Sequence, residues 1–217
     1  MPRAKLAILA LCLAAAAVRC APAVAAPAPI LYVGDSLGVG TSPLLRSALR
    51  GQAVEVDTRV GRGSSEGLAV LRSRLRPRHR IVIFDVGTND FDVRLFGRNL
   101  RRARWAIQDR QMIVLTMNRS GIEPFNYTVL RFAASTFDVI VADWYSLAQR
   151  WDLLAGDGIH ASGSGYRLRA ALIAGCIAAG RSLRLSGREP GRVAAGRSRR
   201  PSGCWASARG ADRSRRL

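Results

Sequence analysis

Five short apolar runs recur along the chain: Ile30–Val33, Ala53–Val56, Ile81–Val86, Met112–Leu115 and Val139–Ala142. Between them lie longer stretches with helical spacing: Pro43–Arg50, Ser65–Leu75, Val93–Gln108 and Pro124–Ala134, with a last helix expected from about Ser164 to Ala179. In the third of these, Leu95, Leu100, Ala103 and Ile107 share one face and arginines fill the other. Strand and helix therefore alternate. The strands read as nearly continuous apolar runs, which suits strands buried on both faces. This order predicts a three-layer α/β/α sandwich around a five-stranded parallel sheet. In such open sheets ligands bind outside the carboxyl ends of the strands, so chemistry is expected there.

Composition limits what surrounds that unit. The chain has 217 residues, 48% of them hydrophobic, enough for one domain with appended segments. Its net charge of +19 would suit an anionic partner. The positive charge is nearly all arginine, Lys5 being the only lysine, and residues 181–217 hold eleven arginines against Glu189 and Asp212. No specific nucleic-acid partner is expected. Beyond Gly180 helical periodicity stops, so 181–217 is expected to be a disordered basic tail that contacts anionic cell-wall polymer or a membrane surface. At the other end, Arg3 and Lys5 precede the apolar run Leu6–Val18 and the small residues Ala23-Val24-Ala25. That layout predicts a secretory leader over residues 1–25 and an exported protein, with the domain over 26–180. The run is shorter than the roughly 20 residues a membrane span needs. Without the leader, Cys12 and Cys20 are gone and Cys176 and Cys204 remain. They could form one bridge; a buried Cys176 and an incidental Cys204 is the expected state.

Three strand ends carry candidate chemistry. The first reads Gly34-Asp35-Ser36-Leu37-Gly38-Val39-Gly40, where Ser36 is either a helix cap or a nucleophile. The third ends in Gly87-Thr88-Asn89-Asp90, either a plain turn or a carboxamide donor aimed at an oxyanion. After the fifth comes Asp157-Gly158-Ile159-His160, a spacing that lets a carboxylate hold an imidazole N–H. The glycines Gly61 and Gly63 after the second strand allow close backbone approach. Their near-match to a dinucleotide fingerprint fails at Glu66, and no phosphate-loop lysine is present. The only other histidine, His79, sits in Arg76-Pro77-Arg78-His79-Arg80, read as an exposed loop without a carboxylate beside it. Trp144, Tyr145 and Trp151 precede Asp157 and either line the site or pack in the core.

Together, these four blocks resemble the SGNH (GDSL-type) hydrolase family across Ile30 to about Ala179. The resemblance implies a flavodoxin-like fold that works without cofactor or metal. It implies Ser36 as nucleophile, His160 as general base and Asp157 as the group orienting it. The Ser36 and Gly61 amides and the Asn89 side chain would form the oxyanion hole, with Gly63 competing for the place of Gly61. Gly34–Gly38 also fits the G-x-S-x-G elbow of α/β-hydrolases. Here, however, the serine follows the first strand and acid and base share one loop.

The expected activity is that of an exported, monomeric serine esterase or deacylase working through an acyl-serine. A small acyl group on a carbohydrate or cell-wall polymer is the expected substrate, because little chain lies between the blocks to build a lid or deep lipid pocket. An acyltransferase using the same triad, and a non-catalytic carbohydrate-binding module, are the alternatives.

Overall fold

A computed structural model of the protein describes residues 29–185 and 203–206. The expected leader and most of the expected tail lie outside the described residues. Strands β1 (Ile30–Gly34), β2 (Val54–Thr58), β3 (Ile81–Asp85), β4 (Gln111–Leu115) and β5 (Val139–Ala142) pair in parallel in the order β2-β1-β3-β4-β5. The registers Gly34↔Thr58 and Gly34↔Asp85 align the carboxyl ends of the first three strands. The order reverses beside β1, and Ser36 lies just past that strand end.

Side chains alternate along β1, β3, β4 and β5 between two cores, while β2 is half-buried and packs Val54 and Val56 against one of them. On one face, Leu31, Val33, Val82, Phe84, Val114 and Val141 pack under helices α2 (Ser64–Arg74), α3 (Val93–Ile107) and α4 (Glu123–Ser135). On the other, Ile30, Tyr32, Ile83, Ile113 and Ile140 pack under α1 (Ser36–Ala48), α5 (Trp144–Trp151) and α6 (Gly163–Leu185). The result is the expected three-layer α/β/α arrangement. Burying both faces of β1, β3, β4 and β5 is the main stabilising term, at roughly 25 cal/mol per Å² of apolar surface removed from water.

Three features differ from the sequence expectation. First, α1 starts at Ser36 rather than Pro43. Asp35 caps it by accepting the Leu37 N–H at 2.9 Å, and the exposed Pro43 is tolerated inside it. Proline deprives the Val39 carbonyl of its helical donor, and the Ser42 hydroxyl reaches that carbonyl at 3.4 Å instead. Second, α5 was hidden in the segment before Asp157; Asp143 caps it, accepting from Ser146 N and from the Thr116 hydroxyl.

Third, the sheet has a sixth strand, and the expected tail is not wholly outside the fold. α6 runs on to Leu185, and β6 (Cys204–Ala206) adds antiparallel to β5. A Cys176–Cys204 disulfide fastens β6 to α6, which overturns the expectation of two unpaired cysteines. Three residues of strand carry too little pattern to read from sequence. The disulfide supplies the fixation that their burial alone would not.

Candidate active site

The geometry begins with a two-residue step. β1 ends at Gly34, Asp35 caps α1, and Ser36 is the first residue of that helix. Its amide is among those a helix start leaves without an intrahelical partner. The glycines flanking Ser36 serve the packing around it. At Gly40 a Cβ would collide with the Tyr166 ring of α6, so α1 and α6 approach there only because the residue is glycine.

Residues 153–162 form a folded-back loop between α5 and α6. Leu154 bridges Ala161, Ala155 N donates to His160 O at 2.7 Å, and Ser162 N donates to Leu153 O at 2.8 Å. Inside this loop Asp157 Oδ1 accepts the Ile159 and His160 amides, both at 2.9 Å. Its Oδ2 lies 2.6 Å from His160 Nδ1. Those bonds, the one from His160 first, hold the Asp157 carboxyl down at about 2. An ionised carboxylate can only accept, so Nδ1 carries the proton and Nε2 is left as an acceptor. His160 Nε2 stands 2.9 Å from Ser36 Oγ. The three side chains expected to act together are thus joined in one hydrogen-bonded series across 124 residues of sequence. It opens to solvent, His160 and Asp157 keeping 39% and 47% of their side-chain surface exposed.

The two loops expected to supply oxyanion donors are also joined. Asn89 Nδ2 donates to the Arg62 carbonyl at 3.2 Å, which ties the turn after β3 to the loop after β2. Gly87 (φ +128°) and Gly61 (φ +76°) shape those two loops in conformations that L side chains rarely adopt. A Cβ at Gly87 would also meet Met117 and Phe96. Gly63, the competing glycine, has negative φ and caps α2.

Several residues holding the site were not singled out by sequence. Asp90 accepts the Ser64 N–H at 2.8 Å and the Ser64 hydroxyl at 2.6 Å, capping α2 from another loop. Arg62 is buried; its guanidinium bonds the Gly34 and Asp57 carbonyls and the Asp57 carboxylate. Gln149 of α5 donates to Asn118, and Asn118 donates to the Gly158 carbonyl, both at 2.8 Å, steadying the Asp157–His160 turn. Asp35 is fully buried; burial and the neighbouring Asp85 push its carboxyl up to about 7. Only the pairing of chain-distant side chains could have revealed these roles.

Outside the site, His79 corrects the sequence reading. Its ring is buried, Nδ1 accepts the Arg76 N–H, and Nε2 lies 3.1 Å from Glu55. Burial pushes its pKa down against the pull of Glu55. The aromatic residues divide. Trp144 lies in the core under α1, α5 and α6, Tyr145 packs partly against the opposite core, and Trp151 is 62% exposed. Among the described residues no group of three or more His, Cys, Asp and Glu could hold a metal, and no helix is long and apolar enough to cross a membrane.

No protein-family model and no curated protein sequence matches the chain. Solved structures do. The C-terminal catalytic domain of Streptococcus pneumoniae peptidoglycan O-acetyltransferase A (OatA), solved with a methylsulfonyl adduct, superposes with TM-score 0.61 at 18% identity, covering 72% of this chain and 96% of that one. A GDSL-like lipase from Bacteroides thetaiotaomicron gives TM-score 0.61 at 14% identity, over 71% and 88% of the two chains. The lipase/acylhydrolase from Enterococcus faecalis gives 0.58 at 21%, over 73% and 96%. At these identities the likeness is one of fold. The chain has the fold of the SGNH (GDSL-type) lipases and acylhydrolases, with its four sequence blocks lying just past the carboxyl ends of the strands or in the loop that opens the last helix.

Proposed function

We propose that this protein is an exported SGNH-type serine esterase acting on a small acyl ester of a carbohydrate or cell-wall polymer. The observation that carries the reading is the Ser36–His160–Asp157 series, with the proton of His160 on Nδ1 and an acceptor facing the serine hydroxyl.

Its chemistry follows from those positions. His160 Nε2 takes the Ser36 proton as Oγ bonds to the acyl carbonyl carbon, and the carbonyl oxygen becomes an oxyanion. Asp157 stabilises the imidazolium and keeps its orientation. The Ser36 and Gly61 amides and the Asn89 carboxamide are the proposed donors to the oxyanion. His160 then returns its proton to the departing alcohol oxygen as the ester C–O bond breaks, leaving an acyl-serine. Water gives a proton to Nε2 and attacks the acyl carbon; the Oγ–acyl bond then breaks as His160 returns that proton to Ser36 Oγ, and the carboxylic acid leaves.

The rim supports a carbohydrate ester. Phe91, two residues past Asn89, is 90% exposed, and the Arg119 guanidinium stands 5.5 Å over its ring. The exposed ring, two residues from Asn89, suits the apolar face of a sugar ring on the side that Arg119 leaves open. The exposure of His160 and Asp157 suits a polymer better than a long acyl chain that needs enclosure. The likeness to the O-acetyltransferase domain favours a second reading, in which an acceptor hydroxyl replaces water at the second step.

Turnover of nitrophenyl acetate against nitrophenyl esters of long acids, with and without an acetylated oligosaccharide, tests the proposal. Preferred cleavage of acetyl esters with release of free acetate supports the esterase; acetyl transfer to the sugar supports the second reading. Binding of the sugar without any turnover would leave a carbohydrate-binding module. Export rests on the leader and would be supported by a mature terminus near Ala26 in the native protein. The arginine-rich tail would add attraction to anionic wall polymer, weakening with salt.

A further inference from the structure

Beneath α1 lies a polar cluster shut off from water. Arg169 of α6, Asp85 of β3, Tyr32 of β1 and Thr41 of α1 are all buried to 2% exposure or less. The guanidinium grips the carboxylate at two points, Nη1 to Oδ2 at 2.9 Å and Nη2 to Oδ1 at 2.7 Å. The Tyr32 hydroxyl adds a third bond to Asp85 Oδ2 at 2.7 Å. Arg169 Nη1 also donates to Thr41 Oγ1 at 2.9 Å, and that hydroxyl donates to the Leu37 carbonyl at 2.7 Å.

A buried ion pair is poor evidence for a gain in stability, because desolvation offsets most of the attraction. A bidentate fork does fix distance and angle between the elements it joins. Each arm of this cluster ends on an element bearing a group of the site. Tyr32 and Thr41 flank Ser36, Asp85 precedes Asn89 on the strand that leads into its turn, and Arg169 lies on the helix that follows His160. Asp85 Oδ1 and Oδ2 are both engaged by Arg169, so β3 and α6 cannot slide without breaking the fork. Thr41 couples the same guanidinium to the first turn of α1, where the Leu37 carbonyl lies one residue from Ser36.

We propose that Arg169 is a positioning residue: its fork on Asp85 and its bond to Thr41 set the first turn of α1 against β3 and α6, holding Ser36 Oγ within reach of His160. The inference rests on the reading of Ser36, His160 and Asp157 as a working triad. Arg169 does not touch substrate. It acts on the alignment of nucleophile and base, so its loss falls on the chemical step and not on binding.

Two substitutions test this. Arg169→Lys keeps the charge but offers a point donor where a planar fork is needed. Thr41→Val removes the bond from Arg169 and the bond to the Leu37 carbonyl together, at nearly constant shape, and leaves the Arg169–Asp85 fork in place. Folded Arg169→Lys should lose about tenfold or more in kcat on a short nitrophenyl ester with KM unchanged, since a sub-ångström misalignment of reacting groups is costly in rate. Thr41→Val should lose about threefold in the same way, and acylation by an organophosphonate should slow in parallel. Should Arg169→Lys fail to fold, Thr41→Val decides alone. Folded variants that melt earlier yet keep wild-type kcat per folded molecule would overturn the proposal and leave a purely structural ion pair. A wild-type protein that neither turns over esters nor is labelled would instead overturn the triad reading, and this inference with it.

Discussion

Replacing Asn89 by alanine separates a turn residue from a catalytic one. The Asn89 side chain has one hydrogen bond in the structure, from Nδ2 to the Arg62 carbonyl at 3.2 Å. Losing it, at a half-buried position with a backbone acceptor open to rearrangement, should cost about 0.5–1.5 kcal/mol of stability. That loss occurs whether or not the residue is catalytic. The rate is what discriminates. A carboxamide has a second N–H, and one aimed at the developing oxyanion binds the transition state more strongly than the ester. Its removal should lower kcat by about 10²–10³, equivalent to roughly 2.7–4 kcal/mol, with little change in KM. The assay is steady-state turnover of a short nitrophenyl ester, corrected for the folded fraction measured by thermal melting. A folded Asn89→Ala protein with wild-type kcat would refute the oxyanion-hole reasoning and leave Asn89 as a loop tie.

Three further outcomes follow from the same structure. Cys176 and Cys204 lie 28 residues apart, so replacing both by serine should lower stability by about 3–4 kcal/mol through freed chain entropy, read by denaturant melts with and without reductant; unchanged melts would show that β6 and its bridge contribute nothing. Asp35 is raised to about 7 from an unfolded value of about 3.9, so its contribution to stability declines as pH rises between those values. Asp35→Asn keeps the cap acceptor and should remove that decline, gaining on wild type between about pH 4 and 7; equal slopes would contradict the buried acid. Phe91→Ala should lower kcat/KM on an acetylated oligosaccharide by roughly two- to tenfold while leaving nitrophenyl acetate nearly unaffected, the size expected of one aromatic face; an equal loss on both substrates would remove Phe91 from sugar recognition.

The elements that sequence located well are those with internal pattern. Ile30–Gly34, Ile81–Asp85 and Gln111–Leu115 are buried along their whole length, so they read as strands to within a residue or two. The Ser36–His160–Asp157 series was legible because Asp157 and His160 are local partners and Ser36 stands at a strand end. What sequence missed depends on partners far along the chain. His79 reads as exposed among arginines, but Glu55, 24 residues away, lies 3.1 Å from its Nε2. Asp85 and Arg169 looked like a strand end and one more arginine of an arginine-rich chain; 84 residues separate the halves of that fork. β6 and the Cys176–Cys204 bridge lay in a segment whose composition gave no periodic signal.

The account turns on Ser36 being the nucleophile, and the most direct test is intact-mass analysis after exposure to a serine-reactive organophosphonate. The wild-type protein should gain one adduct, mapped by peptide sequencing to Ser36, and lose its esterase turnover in proportion. Ser36→Ala should gain none, and His160→Ala should react far more slowly, because nothing then accepts the serine proton. An adduct on another residue, or full labelling of the His160→Ala protein at neutral pH, would contradict the account.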